Sequence, residues 1–172
     1  MMLPLPTLAA SGFPDLTAID HISPKGRVQD EYYNPDVQVI NELVRIGKPS
    51  IPYLIERLKS RAPLKPGVLD YWPHVEERYI ALKILSDFFL APDWKRSTVP
   101  EMCWDNLVQT QKYPNLAHWD ILIDHFTAED WNSLKSRWEA LWSKYNDKIY
   151  WHSSGRFFRI DGNSVRNCAP MN

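Results

Sequence analysis

Few residues in this chain have the types and spacing that chemistry requires. Cys103 falls near the start of a predicted helix, and a helix N-terminus can lower a thiol pKa toward the nucleophilic thiolate. The histidines that could serve it, His118 and His125, are not brought near it by any local cysteine-hydrolase signature. His118, Asp120, Asp124 and His125 are metal-ligand types within one helical stretch. At about 100° per residue, however, the two histidines share a face from which Asp120 is turned away, so the four do not converge. The chain has no phosphate-cradling glycine-rich loop, no Cys-x-x-Cys pair and no Ser-x-x-Lys motif. The residues therefore argue against an enzyme, and neither a metal nor a cofactor is expected.

Binding chemistry is better represented. Two long connections interrupt the helical pattern. Lys59 to Trp72 ends in Asp70, Tyr71 and Trp72, an acid beside two aromatics. Ala91 to Ser97 holds Trp94, Lys95 and Arg96. Aromatic and arginine side chains dominate interface energetics, and long loops on rigid scaffolds are where such contacts are usually placed. These six residues are the candidate partner contacts. A mixed-charge helical face with Glu56, Arg57, Lys135 and Glu139 is a further candidate.

The elements that must position these residues are read from periodicity. Between Asn34 and Leu58 the sequence predicts two amphipathic helices. Asn34 would cap the first and Pro35 would occupy its first position. Val37, Ile40, Leu43 and Val44 form one stripe; Gly47 and Pro49 end it. Ile51, Leu54, Ile55 and Leu58 form the stripe of the second helix. Before this pair, Asp15 to Ile22 could form a short helical turn with Leu16 and Ile19 inward. Similar proline-headed starts recur at Pro73 and Pro114, giving a period of about 40 residues with two helices in each.

In the second unit, Val75 through Phe89 is apolar on more than one face, as a doubly buried helix should be. Thr98 to Glu101 matches a capping box for its partner helix. In the third, a stripe from Leu116 to Phe126 precedes a helix capped at Thr127 and striped by Trp131, Leu134, Trp138, Leu141, Trp142 and Tyr145. After Asn146, two β-prone runs flank Ser153-Ser154-Gly155 and predict a hairpin that must pack on the last helix.

The expectation is thus an all-α chain: a short αα solenoid of about three helix pairs with a small C-terminal β-hairpin. Residues 11–172 would form one domain, with units at about 34–60, 72–109 and 113–146 and the hairpin at about 148–160. A net charge of -1 offers no strong field toward nucleic acid or an anionic membrane. No apolar run is long enough to span a bilayer. Met1 to Ala10 carries no charge and ends in small residues, like the last part of a secretory signal. On that reading the chain is periplasmic; otherwise it is cytoplasmic. In an oxidising compartment Cys103 and Cys168 are available for a disulfide.

Gly47, Ile51-Pro52, Leu54-Ile55 and Leu58 resemble the second half of a HEAT or armadillo-type repeat. More loosely, helical fold type, size and the signal-like start are similar to periplasmic immunity proteins that neutralise peptidoglycan-amidase effectors of type VI secretion. The second resemblance implies a non-enzymatic inhibitor whose loop, such as Asp70 to Trp72, occludes a partner's catalytic cleft. A HEAT-like scaffold or adaptor without a toxin partner and a hydrolase using Cys103 are the competing expectations, and a homodimer is an open expectation for its assembly.

Overall fold

Polar residues at unusual depth decide this architecture as much as the apolar stripes do. The computed structural model describes residues 12–23, 25–70, 72–93, 96–99 and 126–167. A 3-10 turn at Leu16–Ala18 precedes α1 (Gln38–Ile46), α2 (Ser50–Arg57) and α3 (Glu77–Asp87). Then come β1 (Arg96–Ser97), α4 (Ala128–Tyr145), β2 (Ile149–His152), β3 (Phe157–Ile160) and β4 (Arg166–Asn167). β2 and β3 form an antiparallel hairpin with Ile149 opposite Ile160 and His152 opposite Phe157. β1 pairs antiparallel with β4.

This is not the all-α solenoid that the 40-residue period predicts. In a solenoid each repeat touches only its neighbours. Here Arg27 donates a hydrogen bond to the carbonyl of Gly155, 128 positions away, and β4 returns to pair with β1 beside α3. The described residues comprise four α-helices and two small antiparallel sheets. α2 packs against both α3 and α4, and the hairpin meets the chain just past α3 at Phe88. Phe88, Trp151 and Phe158 meet there edge to face, and the Phe158 N–H donates to the Phe88 carbonyl at 2.6 Å. The expected helices within 101–125 lie outside the described residues. Thr98, read as a helix cap, accepts a hydrogen bond on its hydroxyl from the Ile160 N–H at 2.8 Å, tying β1 to the hairpin.

The helix pair at 38–57 has a different start from the one its Asn-Pro suggests. α1 begins at Gln38 behind Val37, which makes no side-chain cap bond, and Asp36 has a positive φ of 59°. Asn34 is drawn inward instead. Its Oδ1 accepts from the Ser23 N–H at 2.8 Å and its Nδ2 donates to the Arg27 carbonyl at 3.3 Å. The far end of α1 stops at the expected glycine: Gly47 takes φ 74° with ψ -136°, a positive-φ conformation other than the left-handed helical one, and its N–H donates to the Leu43 carbonyl at 3.0 Å. Ser50 Oγ donates to the same carbonyl at 2.7 Å and is fully buried.

α3 is buried on all sides from Ile80 to Asp87, including Lys83. α4 buries Trp131, Leu134, Trp138, Leu141 and Tyr145 at helical spacing. Its start is a full capping box: the Thr127 hydroxyl accepts from the Asp130 N–H, and the Asp130 carboxylate accepts from the Thr127 N–H. Thr127→Ala leaves that first turn uncapped and should lower unfolding free energy by about 1 kcal/mol, read from urea denaturation at constant m-value.

Candidate functional site

The segment from Arg27 to Asn34 has no helix or strand, yet Arg27, Val28, Gln29 and Asn34 are buried. Burying a loop is costly unless its polar groups find partners, and here most of them do, Gln29 Oε1 being an exception among the described residues. Arg27 Nη1 donates to the carbonyls of Leu90 at 2.8 Å and Gly155 at 2.9 Å. Its Nε and Nη2 donate to Asp30 Oδ1 at 2.9 and 2.5 Å. Gln29 Nε2 donates to the carbonyls of Asp87 at 2.7 Å and Arg156 at 3.1 Å. The Val28 N–H donates to Asp87 Oδ2 at 2.9 Å, and Lys83 Nζ lies 2.9 Å from the same oxygen. Burial pushes the Asp87 carboxyl up from its ordinary value; Lys83, the Val28 N–H and Arg27 oppose that rise. The loop is therefore bolted to the C-terminal end of α3 and to the hairpin turn.

The outer part of this loop is its opposite in exposure. Tyr32 is 87% exposed, the most exposed large apolar residue among those described. It meets the ring of Tyr33 edge to face at 4.9 Å between centroids. Tyr33 in turn lies over Gly26, whose φ is 70° and where any Cβ would overlap the tyrosine ring. Asp30, Glu31, Tyr32, Tyr33, Pro92 and Arg156 line an open cleft of about 510 Å³. Arg156 adopts φ 51°, uncommon for a non-glycine residue. Its backbone is held there by Gln29, its Nε donates to the Gln29 carbonyl at 3.2 Å, and its Nη1 lies 3.1 Å from Glu31 Oε1.

The residues singled out by sequence are placed differently. Asp70 is exposed, 3.1 Å from His21 Nε2. Trp72 is half-buried and packs against the core. The connection before it does not project as a free loop. Leu64, Val68 and Leu69 are buried, and the Ile22 N–H donates to the Val68 carbonyl at 2.7 Å. Arg96 is exposed, pairs with Asp93 at 2.5 Å and belongs to β1. Tyr71, Trp94 and Lys95 lie outside the described residues, as do Cys103, Cys168, His118, Asp120, Asp124 and His125. Of the six candidate contacts, Asp70, Trp72 and Arg96 are among the described residues.

On the mixed-charge face, Lys135 lies 3.2 Å from Glu56 and also pairs with Glu139, so those charges bridge α2 and α4. Among the described residues no group of three or more His, Cys, Asp or Glu side chains could hold a metal ion. None of the described helices is long and apolar enough to cross a membrane.

The loop carrying Tyr32 has a sequence signal of its own: Glu31-Tyr32-Tyr33, an acid followed by two tyrosines, in a stretch of turn formers without periodicity. Its depth has none, because Arg27 and Gln29 are types that usually face water. The chain matches no family model, no curated protein and no solved structure.

Proposed function

We propose that the chain is a non-enzymatic protein-binding module that presents the loop at 30–33 to its partner. The observation that carries this reading is the contrast within one short segment. A nearly fully exposed tyrosine stands on a backbone locked by buried hydrogen bonds to α3 and to the hairpin turn. Interfaces draw most of their energy from a few aromatic and arginine anchors, and a preorganised backbone reduces the ordering cost of binding. Tyrosine suits the task because it offers a large, rigid, amphipathic surface with few rotatable bonds.

Inhibition of a secreted cell-wall amidase by occlusion of its cleft is the concrete form of this reading. That form rests on the looser of the two resemblances, without the all-α solenoid expected beside it, since the described chain carries two small sheets as well as its helices. The test is affinity capture from an extract of the native host with wild-type chain and Tyr32→Ser in parallel. A protein retained by the wild type and lost from the variant is expected. The variant's unfolding free energy should stay within about 0.5 kcal/mol of wild type, since the site is at the surface. A captured set that ignores the substitution overturns the reading. For the inhibitory form, the captured protein is an amidase whose cell-wall hydrolysis stops at equimolar chain; undiminished hydrolysis rejects it.

A further inference from the structure

Two arginines and two carboxylates meet at this loop, and their arrangement is asymmetric. In the Arg27–Asp30 pair the side chains are 4% and 17% exposed; in the Arg156–Glu31 pair they are 34% and 76% exposed. Each guanidinium is drawn inward by backbone carbonyls: Leu90 and Gly155 for Arg27, Gln29 for Arg156. Each carboxylate is the outer member. A site that is nearly neutral by count is therefore negative toward solvent, and the exposed negative group stands next to the exposed ring of Tyr32.

We propose that this cleft seats a basic side chain of the protein partner, an arginine by preference. The inference rests on the binding-module reading and adds the partner's chemistry. A cation over a tyrosine face is attracted by the ring quadrupole, and an adjacent carboxylate adds a charge-assisted hydrogen bond. Glu31 need not release Arg156, because a carboxylate accepts on two oxygens at about four lone-pair sites. Arginine fits better than lysine because its planar guanidinium can stack on the ring while its edge bonds the carboxylate. Pro92 adds a rigid apolar part to the lining and offers no backbone N–H to compete for the carboxylate.

The experiment titrates 15N-labelled chain with the capped peptides tri-arginine and tri-glutamate and follows amide shifts. Tri-arginine should perturb residues 30–33, 93 and 156, and tri-glutamate should not. Tyr32→Phe, which keeps the ring, should bind like wild type. Tyr32→Ser and Glu31→Lys should each weaken binding at least tenfold, and 1 M salt should do the same. Shifts scattered over the surface, or unchanged affinity in Glu31→Lys, overturn the inference. The captured partner separates this result from the broader reading. If Glu31→Lys retains a protein that Tyr32→Ser loses, the module stands and the basic anchor falls. If tri-arginine binds as described and the captured protein is lost from both variants, the basic anchor is supported.

Discussion

Replacing Lys83 by methionine should cost about 3–5 kcal/mol of unfolding free energy at neutral pH, among the largest losses expected for any single substitution here. Lys83 and Asp87 are 2% and 7% exposed on their side chains, one helical turn apart, with 2.9 Å between Nζ and Oδ2. Methionine matches the aliphatic stem in shape, so little packing is lost. What remains is a buried carboxylate without its principal counter-charge, still tied to the Val28 N–H. The loss should depend on pH in a defined direction. Burial already raises the Asp87 carboxyl, and removing Lys83 raises it further. The folded state then holds a proton that the unfolded chain releases near pH 4, so the variant's stability falls as pH rises through that interval. The gap to wild type should be smallest below about pH 4 and widen toward neutrality. Lys83→Met/Asp87→Asn removes both charges and leaves an amide oxygen for the Val28 N–H; it should recover most of the loss. Urea unfolding at several pH values decides this, and equal losses in the single and double variants would reject the account.

The second large effect belongs to Arg27. Its guanidinium satisfies Asp30 and the carbonyls of Leu90 and Gly155 from a nearly buried position. Arg27→Met leaves a carboxylate and two carbonyls with fewer partners and should destabilise by about 3–5 kcal/mol. Arg27→Lys should recover little, because one compact ammonium cannot span three acceptors arranged around a planar fork. The readout that distinguishes a local from a general role is amide exchange. In Arg27→Lys, protection at 28, 29 and 34 should collapse while the buried face of α4 keeps its relative protection. If the proposed reading holds, capture through Tyr32 should weaken in parallel, since Arg27 ties the backbone beneath that ring to α3 and the hairpin turn. Uniform loss of protection across the chain would make Arg27 a residue of global stability alone.

These polar residues mark where sequence reading stops. Apolar stripes are self-consistent over a few turns, so Ile51, Leu54, Ile55 and Leu58 are legible in place, and so are the Trp131–Tyr145 stripe, Gly47 and the Thr127 cap, though not the reciprocal bond to Asp130 that makes it a box. The burial of Arg27 and Gln29 depends on carbonyls that are remote in sequence, while the local i,i+4 pair of Lys83 with Asp87 reads in a sequence like any solvated pair on a helix. Asn34 shows the same limit at one residue. Asn before Pro reads as a helix cap, but the amide finds better use bridging Ser23 and Arg27 inside the loop. The repeat architecture failed for a related reason. A period of about 40 in proline-headed starts records where helices begin, and says nothing of whether distant segments close across them. Loop length alone does not say whether a connection projects: the one before Trp72 is laid down on the core by Leu64, Val68 and Leu69, while the exposed Tyr32 stands on a loop with no periodic signature.

The bond between Arg27 and the Gly155 carbonyl also sets a clock. A ribosome delivers a chain at roughly 5–20 residues per second, so Arg27 emerges about 6–25 s before the group it must reach 128 positions later. During that interval the segment around Tyr32 has no hairpin turn to lean on. The cleft at 30–33 is thus completed only once Gly155 and Arg156 have been made, and until then Arg27 lacks one of its carbonyl acceptors.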